Sequence, residues 1–182
     1  YTGWPNRTDT TLSFDNGTRT FTVTPVGATF DIWVDGKKYT IVGADSVILD
    51  DTTGLHFVYY DIVLGVPTLQ KTMIWPGFEV CLTGFVYYNT TVGFDKGLES
   101  DERHYMGRDG LIHAYLHETV GARYANGLTG TFTNDTFTIT EGEFYDEDID
   151  HIITPDQTTC DVLYKNGSAD WEWDENTTLY YK

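Results

Sequence analysis

Between Thr20 and Tyr88 the chain changes character at nearly every second residue, and that rhythm confines it to β structure. Successive side chains of a strand point to opposite faces, so alternation marks one buried face and one wet one. Thr20 to Thr24 sets Phe21 and Val23 against threonines, and Phe30, Ile32 and Val34 share one face of the next strand. Asp35-Gly36 is a strong hairpin signal before Lys38 to Val42. Ser46 to Leu49 and Leu55 to Tyr60 read as two more strands, split by Thr52-Thr53-Gly54. Thr68 to Trp75 and Glu79 to Tyr88 flank Pro76-Gly77, again strand, turn, strand. The pattern predicts a mainly β protein, an antiparallel sandwich or barrel.

Past Gly93 the rhythm breaks. Phe94 to Gly110 is polar and glycine-bearing, hence mostly loop. Leu111, Ile112, Tyr115 and Leu116 then recur at helical spacing, which predicts one short helix over Asp109 to Thr119, capped by Asp109. These four apolar side chains are expected to pack against the β core or a neighbouring subunit. Leu128 to Thr140 reads as two Thr-rich strands around Asn134-Asp135, Glu141 to Asp150 as an acidic connector, and Cys160 to Tyr181 as a last hairpin through Asn166-Gly167. Residues 1–17 are polar and lack a clear apolar face. They read as an N-terminal tail, loose or ordered on a neighbouring subunit by strand donation. Residues 18–182 read as one β-rich domain, with a weaker boundary near 95.

The charge balance removes whole classes of partner. With 28 acidic against 11 basic residues the net charge is −17, which repels phosphate backbones and anionic headgroups. Nucleic acid is therefore not an expected partner. No run of eighteen apolar residues is present, so membrane insertion is not expected either. The chain opens on Tyr1 rather than Met, which fits a processed, exported protein. Export favours a bridge between the two cysteines, Cys81 and Cys160, although a buried free thiol is common as well.

Six of the seven asparagines head an N-x-S/T sequon: Asn6, Asn16, Asn89, Asn134, Asn166 and Asn176. Serine and threonine make up 33 of 182 residues, so chance supplies about one sequon among seven asparagines. Turn chemistry raises that rate, because asparagine and glycine gather at turns in a Thr-rich chain, but not to six of seven. The excess points to N-glycosylation and to an extracellular, cell-surface or virion-surface location.

Catalytic constellations are scarce. None of the four serines sits in G-x-S-x-G, and no glycine-rich phosphate loop occurs. His113 and His117 stand four apart, so a helix would turn both imidazoles to one side, with His104, Asp101 or Glu118 to complete the shell of a metal. The intervening Ala114-Tyr115-Leu116 lacks the glutamate of a hydrolytic H-E-x-x-H, and structural histidines are commoner. Asp146, Asp148 and Asp150 alternate in the acidic connector and, on a loop, would offer oxygens to a structural divalent cation; a solvated acidic edge is the plainer reading. The five tryptophans suit packing more than sugar stacking. The sequence thus predicts a non-enzymatic, N-glycosylated extracellular structural protein with no cofactor, a self-assembling subunit of a pilus-like filament or surface assembly. A virion fibre or spike module is the alternative. A secreted carbohydrate-binding or carbohydrate-active protein, which would take host or environmental glycans as partners, is the second.

Overall fold

The structure is a computed structural model that describes residues 1–90, 98–107, 110–133, 136–154, 159–165, 167 and 171–178. Among the described residues the chain is mainly β with one α-helix, and it forms two compact units, Tyr1–Thr119 and Val120–Lys182. The boundary falls after the helix rather than near 95, because residues 98–107 and the helix belong to the first unit.

The N-terminal unit carries strands β1 (Thr10–Asp15), β2 (Thr20–Pro25), β3 (Thr29–Val34), β4 (Lys37–Val42), β5 (Asp45–Ile48), β6 (Gly54–Val63), β7 (Val66–Thr72), β8 (Cys81–Tyr88) and β9 (Leu98–Asp101), then helix α1 (Gly110–Thr119). They form sheets β1-β2-β5, β3-β4 and β7-β6-β8-β9, antiparallel throughout, and no barrel closes among the described residues. The expected apolar faces turn inward: Phe21 and Val23 of β2, Phe30, Ile32 and Val34 of β3, and Val58 and Tyr60 of β6 are all buried in one core. Asp35 and Gly36 adopt positive φ, as a two-residue hairpin closing Val34 on Lys37 requires.

Two connections differ from expectation. Pro76-Gly77 does not close a hairpin, since β7 and β8 both pair with β6 and never with each other. The turn that pairs β6 with β7 is Leu64-Gly65, both at positive φ, opposite the Val63–Val66 pair.

The larger correction concerns residues 1–17, which are part of the core rather than a tail. Trp4 is only 1% exposed; its ring stacks on Phe30 at 5.6 Å, meets Tyr60 edge-on at 6.1 Å, and its Nε1 donates to the Leu82 carbonyl at 2.8 Å. One tryptophan supplies an apolar payload that a polar segment conceals from pattern reading. Around it, Gly3 exchanges both backbone hydrogen bonds with Trp33, Trp4 N–H donates to the His104 carbonyl, and Met106 N–H donates to Trp4. Gly3 sits at φ 134°, and a Cβ there would lie 2.7 Å from the His104 carbonyl oxygen, so only glycine fits the crossing. β1 then pairs with β2 over its full length, Thr10 opposite Pro25 through Asp15 opposite Thr20.

The C-terminal unit consists of β10 (Ala122–Gly127), β11 (Gly130–Thr133), β12 (Thr136–Ile139), β13 (Gly142–Asp146), β14 (Ile149–Ile153), β15 (Thr159–Lys165) and β16 (Trp171–Thr178). Its sheets are β10-β13-β14, β11-β12 and β15-β16. The two Thr-rich strands and the final hairpin stand where the sequence predicts them. The expected acidic connector is itself a hairpin, β13-β14, turning at Glu147 and Asp148. Ile149 alone among this unit's described hydrophobic side chains is fully buried.

Candidate functional site

The sequon asparagines occupy diverse backbone settings. Asn6 is exposed and caps a 3-10 turn over Arg7–Asp9. Asn16 is half-buried in the turn between β1 and β2, and Asn89 is half-buried directly after β8. Asn176 lies inside β16, where the register shifts so that Glu175 and Asn176 oppose Asp161 alone, a bulge. Asn134 and Asn166 lie outside the described residues, in the β11-β12 and β15-β16 connections, as does Asp109, the expected helix cap.

Two of the three expected histidine ligands come together. His104 is buried beside the crossing strand at Trp4, and α1 brings His113 to it with ring centroids 4.6 Å apart. Phe78 packs on His113 at 4.5 Å and on His117 at 5.6 Å, so the i, i+4 pair does share one side of the helix. His117 stays exposed against Phe78 and does not join the other two. The His104 Nε2 lies 3.6 Å from the Glu102 carboxylate, longer than a good hydrogen bond. These groups border a recess of about 10 Å³, room for one water rather than for a substrate.

The acidic hairpin does not gather its aspartates. Asp146 pairs with Ile149 and Tyr145 with Asp150, so Asp146 and Asp150 point to opposite faces while Asp148 sits in the turn. Three carboxylates expected around one cation are therefore dispersed by strand alternation. Glu143 shares a face with Tyr145 and accepts from Asn126 Nδ2 at 2.9 Å. Its hydrogen bond and charge hold the Tyr145 hydroxyl above its ordinary pKa.

Both cysteines are free. Cys81 is buried in the core, where burial pushes its thiol well above the ordinary range; Cys160 is exposed.

Pattern reading missed the densest polar cluster, which is built on Arg103. Arg103 is nearly buried, and its Nη1 donates to the carbonyls of Arg7 and Thr10 at 2.8 Å each and to the Thr10 hydroxyl. Its Nε and Nη2 each donate to one oxygen of Asp101 at 2.8 Å, a bidentate pair. Burial pushes the Asp101 carboxyl up, but the hydrogen bonds and charge of Arg103, with the Arg7 charge, outweigh it and leave the pKa below the ordinary carboxylate value. Nothing in the Asp101-Glu102-Arg103 string separates this clamp from a solvated charge run, because its other partners lie more than ninety residues away.

Apolar surface remains open in both units. On α1, Leu111 is 80% exposed and Tyr115 is exposed too, so these two side chains stand largely clear of the core of their own unit, while Ile112 is partly covered and Leu116 is half-buried. In the C-terminal unit, Leu128, Phe137, Ile139, Phe144, Ile152 and Cys160 border an apolar hollow of about 500 Å³, and Tyr124 and Phe132 are exposed. Among the described residues no helix is long and apolar enough to cross a membrane. No family model matches the chain, and neither a curated protein nor a solved structure matches it.

Proposed function

We infer that the chain is a non-enzymatic structural protein of an extracellular assembly, N-glycosylated and built from repeated copies of itself. The observation that carries this reading is the uncovered apolar surface. A lone soluble protein rarely leaves Leu111 and Tyr115 on one helix, and a hollow of about 500 Å³ elsewhere, open to water. A neighbouring subunit that covers such faces gains about 25 cal/mol for each Å² of apolar area removed from water. The sequon excess supports the extracellular part. Strand donation by residues 1–17 loses its support, because Trp4 and β1 already complete their own unit, so contact through side-chain faces replaces it.

Electron microscopy of native material, paired with light scattering of the purified chain, tests the reading. The expected result is a regular array in which each protomer buries more than about 1,000 Å². A chain that remains monomeric at tens of micromolar sinks it. Glycopeptide mass spectrometry on the same material tests the glycoprotein part, and four or more bare sequons of the six overturn that part.

A further inference from the structure

We propose that Asn6 accepts its glycan only before the N-terminal unit folds, and that folding then withdraws it from the transferase. The inference rests on the glycoprotein reading above. N-glycosylation joins the asparagine Nδ2 to the anomeric carbon of a lipid-linked oligosaccharide. The C–N bond forms as the bond from that carbon to the lipid pyrophosphate oxygen breaks. The nitrogen gives one proton to a base, and the pyrophosphate departs with the electron pair. The acceptor amide must therefore leave its own contacts and bend into an enzyme cleft.

The fold forbids that movement at Asn6. Its Oδ1 accepts from the Thr8 N–H at 3.1 Å and from the Thr8 hydroxyl at 2.8 Å, and its Nδ2 donates to Asp9 Oδ1 at 2.8 Å. The asparagine and threonine of the sequon thus bond to each other as the cap of a 3-10 turn. Anchors lie on both sides. Trp4, two residues earlier, is buried in the core, and the Arg7 carbonyl, one residue later, accepts from the buried Arg103. Thr10 follows, buried and bonded to the same guanidinium. Freeing the sequon means extracting Trp4 or breaking the Arg103 clamp, which is local unfolding of the unit.

The product is compatible with the fold even though the reaction is not. Asn6 is exposed, so a sugar can project into solvent. A glycosylated Nδ2 also keeps one N–H, enough to serve Asp9. Asn16 provides an internal comparison in the same unit. It sits in a turn beside Gly17, and the Thr18 hydroxyl of its sequon donates to Thr20 at 2.8 Å.

The test uses the full chain made in a non-glycosylating host, then incubated with an oligosaccharyltransferase and a lipid-linked oligosaccharide. Folded wild type is compared with Trp4→Ala and Arg103→Ala, each of which removes one anchor, and occupancy is read by glycopeptide mass spectrometry. Asn6 occupancy is expected to be at least about tenfold lower in wild type than in either variant, as for a site reached only by local opening. Equal occupancy in all three proteins overturns the proposal. So does an Asn6 that stays bare in both variants while Asn16 is modified. Failure of the underlying reading looks different, since native material would then be bare at four or more of the six sequons.

Discussion

Arg103 shows how a single residue in a stretch that reads as loop can hold a β unit together. A buried guanidinium is tolerable only when its donors are used, and here Asp101, Arg7 and Thr10 accept them. Arg103→Met should lower stability by about 3–5 kcal/mol in urea melts at neutral pH, since it leaves the largely buried Asp101 carboxylate with only the 3.4 Å contact to Arg7. The deficit should shrink in acid. The folded Asp101 binds its proton more weakly than an unfolded aspartate, which titrates near about 3.9. Its contribution is therefore complete above that value and drains away as pH falls through the lower folded pKa, taking the wild-type advantage with it. A deficit constant from pH 7 to pH 2 would show that the guanidinium acts through packing alone. The cysteines give a second residue-scale expectation. Cys160 should react with maleimide in the native protein and Cys81 only after denaturation, because burial removes access and raises the thiol pKa together. Two fast equivalents by mass spectrometry would contradict the buried placement of Cys81. Neither Arg103 nor the fate of the thiols was legible in the sequence, since both depend on contacts between distant parts of the chain.

At the scale of elements, local periodicity and non-local pairing diverge. Strands β2, β3 and β4 follow from alternation and from Asp35-Gly36, which carry their own turn and face information, and β8 from an apolar run buried at nearly every position. The pairing of β7 and β8 with β6 does not follow, because a proline-glycine pair between two strands resembles a hairpin whether or not the strands meet. The N-terminal segment misleads for another reason: Trp4 is a lone residue with no period, and Leu12 and Phe14 of β1, which also pack on the core, are too short an alternation to stand out in a polar stretch. Trp4→Ala should cost about 3–5 kcal/mol, the usual range for removing a buried tryptophan, and deletion of residues 1–17 should abolish cooperative melting of the unit. A deletion mutant that melts like wild type would return the segment to the status of a tail. Helix α1 carries the opposite expectation. Its length and position were legible, but the direction of its apolar side was not, since Phe78 meets the histidines instead. Leu111→Ala and Tyr115→Ala should each change monomer stability by less than about 0.5 kcal/mol, as at other exposed positions. They should nevertheless weaken self-association. A loss of several kcal/mol in the monomer would place these side chains in a core.

The whole molecule combines two tendencies that oppose each other in any assembly of identical copies. Its apolar faces favour contact, while a net charge of −17 on every copy resists it. Both were legible in part: the charge is a count, but the uncovered faces required the fold, because a sequence pattern marks an apolar stripe without naming what covers it. Salt separates the two terms. The Debye length falls from about 30 Å at 0.01 M to about 10 Å at 0.1 M, so repulsion between like-charged subunits fades while apolar burial is kept. Self-association measured by light scattering should therefore rise from about 0.01 M to about 0.5 M sodium chloride, and the gain should be lost in Leu111→Ala and Tyr115→Ala. Replacing part of the sodium with calcium at equal ionic strength separates screening from bound cations. If calcium adds nothing, the dispersed Asp146, Asp148 and Asp150 hold no assembly ion, in keeping with a register that points Asp146 and Asp150 to opposite faces. Association that weakens with salt would mean that ion pairs rather than apolar faces join the subunits, and the exposed side of α1 would then need another partner.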